Sequence, residues 1–155
     1  MEKHLDRIDI GILAALQNDG RLSNKELAAG VGLAPSSCLA RVNRLRERGV
    51  LRAAHAEVDP SALGIGLQAI VVVRFARHNR ETLESFRVHL ATLPEVVQAF
   101  SVGGADDVLV HVAVRDANHL RDLVMDGFSD HPEVVQTRTE VVFDHVRRSK
   151  LPVYL

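Results

Sequence analysis

The sequence predicts an α+β protein, an N-terminal three-helix helix-turn-helix domain followed by a ferredoxin-like βαββαβ domain. Three observations carry that prediction. Within residues 1–52, apolar positions recur at helical spacing in three short segments, each closed by its own turn residues. Beyond residue 60, β-branched runs alternate with amphipathic stretches in the order strand–helix–strand–strand–helix–strand, the split βαβ arrangement. Apolar residues make up 46% of the 155 positions and charged residues 25%, enough to close a core without any low-complexity tract.

In the first helix, Leu5, Ile8, Ile12, Leu13 and Leu16 form the apolar stripe and Asp6 is the N-cap. Asn18-Asp19-Gly20 ends it, with Gly20 able to take the positive φ that a helix C-terminus often needs. Ser23-Asn24-Lys25-Glu26 opens the second helix as a capping box, in which Ser and Glu side chains satisfy each other's orphan amides. Gly30 and Gly32 break it, and Val31 and Leu33 plug the turn. Pro35 opens the third helix, where its missing N–H is harmless, and the helix runs to about Arg48 before Gly49. Residues 51–58 read as extended and Asp59-Pro60-Ser61 as a turn. A buried strand follows at 67–75, then a helix at 81–93 with Leu83, Phe86, Leu90 and Leu93 inward. Strands at 96–102 and 108–114 flank Gly103-Gly104. A second helix at 118–128, capped by Asp116, precedes a last strand at 134–143. The expected division is 1–52 for the helical domain, 53–64 for an extended linker, 65–145 for the ferredoxin-like domain and 146–155 for a C-terminal tail. Two helices cover one sheet face only, and in so small a domain another subunit covers the other.

Several classes are excluded at this point. A net charge of −1 argues against a uniformly basic nucleic-acid binder but leaves room for a local basic patch. The single cysteine, Cys38, permits no internal disulfide and no Cys-rich zinc site. It lies on the inward stripe of the third helix, where a free Cys packs as a small hydrophobe; a redox sensor is the alternative. The first residues are charged throughout, unlike a signal peptide, and no apolar run can span a bilayer, so a cytoplasmic protein is expected. None of the eight histidines has metal-ligand spacing, although His89 and His111 are candidates to meet in the fold. Asp106 and Asp107 are neighbours whose side chains point apart on a strand, which makes them poor partners for catalysis or for a metal. No catalytic residue, cofactor or metal is expected, and no enzyme.

Charge on the third helix points to double-stranded DNA. With Cys38, Val42 and Leu45 inward, a wheel at about 100° per residue puts Ser36, Ser37, Ala40, Asn43, Arg44 and Glu47 outward, flanked by Arg41 and Arg48. Small residues at the helix start let the backbone approach the major-groove floor, and hydroxyl, amide and guanidinium groups reach base edges or phosphates. Residues 41–52 hold five arginines and one acid. Arg21, Asn24 and Lys25 sit at the start of the second helix, whose free amides can receive a phosphate. A solvated basic face on an ordinary helix is the competing account. A metabolite-binding subunit that regulates an enzyme is the rival function, and it leaves this basic helix unexplained.

Several segments resemble one family in order and spacing. They are Leu5-Asp6-Arg7-Ile8-Asp9, Ser23-Asn24-Lys25-Glu26-Leu27-Ala28, Val31-Gly32-Leu33-Ala34-Pro35-Ser36, Arg41-Val42-Asn43-Arg44-Leu45, Gly49-Val50-Leu51 and Asp59-Pro60-Ser61-Ala62-Leu63-Gly64. Together they look like the leucine-responsive/asparagine-regulator (Lrp/AsnC) family of prokaryotic transcription factors, and the likeness continues to Leu151-Pro152. The resemblance implies a winged or linker-flanked helix-turn-helix and a ferredoxin-like regulatory domain. It implies homodimers built through the sheets, which can assemble into larger oligomers, and an amino acid or related metabolite bound between regulatory domains. A family Gly-x-x-Asp signature maps onto Gly104 and Asp107, in a loop that also holds Gly103 and Asp106. Thr137 and Thr139, two apart on the last strand and so on one face, are candidate hydroxyls for the effector. The loop departs from the commoner pattern, with Gly103 in place of Thr and Ala105-Asp106 in place of Asp and an aromatic. Those changes remove polar and stacking partners, which leaves either a ligand other than leucine or asparagine or a pocket without one.

Overall fold

The computed structural model describes residues 4–148 and 150–154. The chain forms two compact units, one drawn from Met1–Glu57 and Val146–Leu155 and the other from Val58–His145.

The first unit is helical. Helix α1 (Arg7–Asn18) starts where the Asp6 carboxylate accepts the Asp9 amide at 2.8 Å. It ends otherwise than expected. Asp19 turns extended at φ −143°, its carboxylate accepts the Arg21 amide at 2.8 Å, and Gly20 is not among the positive-φ glycines. That Asx-type turn already reverses the chain, so no left-handed residue is needed. Helix α2 (Asn24–Val31) carries the complete capping box at Ser23 and Glu26. Gly30 stays within it; Gly32, left-handed at φ 69°, alone ends it, as a residue without Cβ can at little steric cost. Helix α3 (Pro35–Glu47) has Pro35 in its first turn and Arg48 as C-cap. Ile12, Leu27, Ala28, Cys38, Val42 and Leu45 form the buried core of this unit. Burial pushes the Cys38 thiol pKa above its ordinary value, which disfavours the reactive thiolate.

The second unit opens with a 3₁₀ turn (Pro60–Leu63) and strand β1 (Leu67–Phe75). Helix α4 (Arg80–Leu90) follows, capped by Asn79, then strands β2 (Val96–Ser101) and β3 (Val108–Val114). Helix α5 (Ala117–Asp122), capped by Asp116, continues as a π-helical segment (Leu123–Ser129), and strand β4 (Val134–Val141) closes the unit. The sheet is antiparallel at every pairing and ordered β2-β3-β1-β4, as a ferredoxin-like fold requires.

The π segment departs from the regular helix expected over 118–128. Leu123 and Phe128 are both buried, yet residues five apart on an α-helix point about 140° away from each other. A turn closed by i→i+5 bonds brings both side chains to the core. Gly127 packs against Leu93, and its carbonyl oxygen lies 2.6 Å from His89 Nε2.

Cross-strand partners share a sheet face. Ala69, Val71, Val73 and Phe75 of β1 and Val108, Val110, Val112 and Val114 of β3 pack with Phe86, Leu90, Leu120, Leu123 and Phe128 from the helices. The other face carries Ile70, Val72, Leu109 and Phe100, bordered by Gln68, His111, Arg74, Arg138 and Glu140. His111 lies on this second face, bonded to Gln68 Oε1 at 2.8 Å, whereas His89 stacks near His131 on the helix side at 4.9 Å. The two histidines expected as possible neighbours are therefore separated by the sheet. Among the described residues, no helix is long and apolar enough to cross a membrane.

Candidate DNA interface and effector loop

Helix α3 buries Cys38, Val42 and Leu45 and leaves Ser36, Ser37, Ala40, Asn43, Arg44 and Glu47 exposed, so its outer face is polar and open. Helix α2 is fixed to it by one hydrogen bond: Asn24 Nδ2 donates to the Pro35 carbonyl at 2.8 Å. This brings the start of α2, with exposed Arg21 and Lys25, to the start of α3.

Four residues expected at the DNA face already have protein partners. Asn24 holds Pro35, as described. Arg48 Nη2 donates to the His4 carbonyl at 3.4 Å. Arg41 Nη1 contacts Asp6 Oδ2 at 2.5 Å and Asp9 Oδ1 at 2.9 Å, which locks α3 onto α1. Arg44 Nη2 lies 3.3 Å from both Asp9 oxygens but is half exposed and free to turn outward. Asp9 itself is only 2% exposed. The Arg41 hydrogen bond, followed by the Asp9 amide, holds the Asp6 carboxyl below its ordinary pKa, while Asp6 and then Asp9 raise that of Arg41. Sequence reasoning treats Asp6 as a cap only and misses this acidic cluster. Two acids one helical turn apart on α1, facing an arginine-rich helix, are the available signal.

In the second unit, the loop between β2 and β3 is closed at its base. Val102 N–H donates to Asp107 O and Asp107 N–H to Val73 O, both at 3.0 Å. Gly104 has φ +146°, a conformation side chains rarely adopt, which accounts for a glycine there. The Asp107 side chain accepts the Phe75 amide at 2.8 Å through Oδ2 and pairs with His78 Nδ1 through Oδ1. Burial raises its pKa, but the Phe75 amide, His78 and Arg74 together outweigh this and leave it below the ordinary value. Asp106 turns elsewhere, to Arg138 Nη2 at 3.4 Å. Thr137 and Thr139 pair with Val73 and Val71 and so lie on the helix side, with Thr137 Oγ1 3.3 Å from Ser129 Oγ. Asp107 and the two threonines stand on opposite sides of β1, two strand spacings or about 10 Å apart. Next to Asp107, a groove of about 550 Å³ is lined by His78, Asn79, Arg80, Arg87, Ala99 and Ser101, among others. Of these, His78 links groove and loop. Sequence reasoning assigns none of these six a binding role, because they gather from the turn before α4, from α4 and from β2.

Comparison with known proteins adds the following. Residues 5–52 match a winged helix-turn-helix DNA-binding family, and residues 68–152 match the Lrp/AsnC ligand binding domain. The HTH-type transcriptional regulator AldR of Mycolicibacterium smegmatis is 41% identical over 145 residues, covering 94% of this chain and 85% of that protein. The leucine-responsive regulatory protein of Escherichia coli is 37% identical over 147 residues, covering 95% and 90%. A transcriptional regulator of Neisseria meningitidis, solved as a complex with L-Met, superposes with a TM-score of 0.86 at 33% identity, covering 96% of this chain and 97% of its own.

Proposed function

Since the chain belongs to the Lrp/AsnC family of helix-turn-helix transcriptional regulators, which are not enzymes, we propose that it is a sequence-specific DNA-binding regulator modulated by an amino acid. The observation that carries this reading is the exposed polar face of α3, with Ser36, Ser37, Asn43 and Arg44 open while the opposite stripe is buried. Placed in a major groove, those groups meet base edges and phosphates, and Arg21 and Lys25 meet the flanking backbone. In this reading residues 1–52 hold the DNA in the cytoplasm, 53–64 link, and 65–145 bind the effector and pair subunits.

The effector binds between regulatory domains of neighbouring subunits, at the Gly103–Gly104 loop with Asp106 and Asp107 and at Thr137 and Thr139. The Asp107 carboxylate, deprotonated and with lone pairs beyond those given to Phe75 and His78, accepts an α-ammonium group. Backbone amides of the loop receive the ligand's carboxylate, with threonine hydroxyls contributed by the neighbouring subunit, since those of the same subunit stand across β1 from Asp107. The relative solved with L-Met supports an amino acid as the ligand class. Thermal shift against the common amino acids identifies the ligand, because binding to the folded state raises its melting temperature. Calorimetry then compares wild type with Asp107→Ala. Loss of binding with the assembly intact is expected, and equal affinity would remove this loop from the site.

A further inference from the structure

The last stretch of chain packs with the helical unit, not with the body that precedes it. Its tie is the Leu151 amide, which donates to Gln17 Oε1 on α1 at 2.7 Å. Just before that tie stand Arg147, Arg148 and Lys150, exposed and, among the described residues, without an ion-pair partner. Residues 146–155 contain these three cations and no acid. The charge of the chain is divided accordingly. Residues 1–57 with 146–155 hold twelve Lys and Arg against seven Asp and Glu, whereas residues 58–145 hold seven against thirteen. A net charge near zero thus conceals one positive and one negative unit.

The tie also has a useful position. Gln17 is four residues from Arg21, a separation of at most about 14 Å. Arg21 opens the segment whose Asn24 is bonded to the first residue of α3. The cations, the start of α2 and the start of α3 therefore follow one another within short chain distances. Phosphates run along both rims of the major groove, which is about 12 Å wide, so cations tied to the unit that carries the groove-binding helix are candidates for contact with the flanking backbone.

We propose that Arg147, Arg148 and Lys150 are a second, sequence-independent contact to the DNA backbone, held ready by the Leu151–Gln17 hydrogen bond. This rests on the reading of α3 as the groove-binding helix and adds a site outside residues 1–52. Phosphate neutralisation releases counterions, so such contacts steepen the salt dependence of binding without reading sequence.

The test uses the full chain and two duplexes of equal length, one random and one from upstream of its own gene. Fluorescence anisotropy across a salt series compares wild type with the triple variant Arg147→Gln, Arg148→Gln, Lys150→Gln. The slope of log affinity against log salt should become shallower by about 0.9 for each phosphate that the variant no longer neutralises. Taking the difference to vanish at 1 M salt, each such phosphate amounts to about fivefold in affinity at 0.15 M. Both duplexes should lose the same factor, and Arg147→Lys with Arg148→Lys should restore the wild-type slope. At 0.15 M the screening length is about 8 Å, so a difference that persists there reports close approach and not distant attraction. An unchanged slope and affinity overturns the proposal. So does a loss confined to the upstream duplex, which would mean base reading, or one accompanied by a change in mass by light scattering, which would assign the tail to assembly. A wild-type chain that binds neither duplex sinks the DNA reading itself; wild-type binding matched by the variant sinks the tail's role alone.

Discussion

Arg41 and Arg44 sit three residues apart on α3, share Asp9, and should nevertheless fail in different ways. Arg41→Ala leaves the buried Asp9 carboxylate with only the loose Arg44 contact, and an under-compensated buried charge is strongly destabilising. The melting temperature should fall by roughly 5 °C or more. Arg44→Ala leaves Arg41 in place and should barely move the melt, but it should weaken specific DNA binding by about 1–3 kcal/mol if Arg44 reads a base edge. If Arg44 meets only phosphate, the loss is the same for all sequences. Calorimetric melting and DNA anisotropy on the two variants separate these roles; similar profiles for both would erase the distinction. Periodicity places both residues near the outer face of α3. It cannot show that Arg41 is claimed by acids 32 and 35 positions earlier, because ion pairing across elements leaves no repeat in the sequence.

Among the elements, α2 depends most visibly on local chemistry. Ser23→Ala removes the side-chain acceptor for the Glu26 amide and one of the two donors to the Glu26 carboxylate, the backbone N–H of residue 23 remaining, and should destabilise the helical unit by about 1 kcal/mol. The denaturation midpoint should fall at an unchanged m-value. Because Asn24 ties this end of α2 to Pro35, fraying should also weaken DNA binding. Such caps are legible in the sequence since they act over three residues, and β1 and β3 are legible from their runs of valine. The π turn after α5 is not. Its cause is tertiary, with Gly127 against Leu93 and its carbonyl near His89. Beside that turn His131 packs at 5.2 Å from Phe86. Burial, then the charge of His89, lowers its pKa below 6.5 against the opposing pull of Glu133. The unfolded chain therefore binds the proton more readily, so this stability is full above pH 6.5 and is lost as pH falls. Melting temperature should decline as pH falls below about 6.5, and His131→Phe should flatten that decline. Part of it should survive from His111, lowered in the same direction by burial and by His145. A variant as acid-sensitive as wild type would show that His131 is not the titrating group.

For the molecule as a whole, the second sheet face is the surface on which assembly should turn. Phe100, 48% exposed, shares that face with Leu109, Val72 and Ile70. Charge there should be intolerable to a subunit packed against it, so Phe100→Arg is expected to give a folded chain of lower mass by light scattering. Unaltered mass would move the interface elsewhere. The opposed charges of the two units bear on something else, the encounter that precedes any contact. A polyanion pulls one unit toward it and pushes the other away, so the protein experiences a torque before it touches DNA. Most collisions should then begin with the helical unit leading, which would shorten the rotational search and raise the association rate above that expected from a net charge of −1. The acidic body gains nothing from the duplex, so it does not compete for phosphates and stays open to effector and to the next subunit.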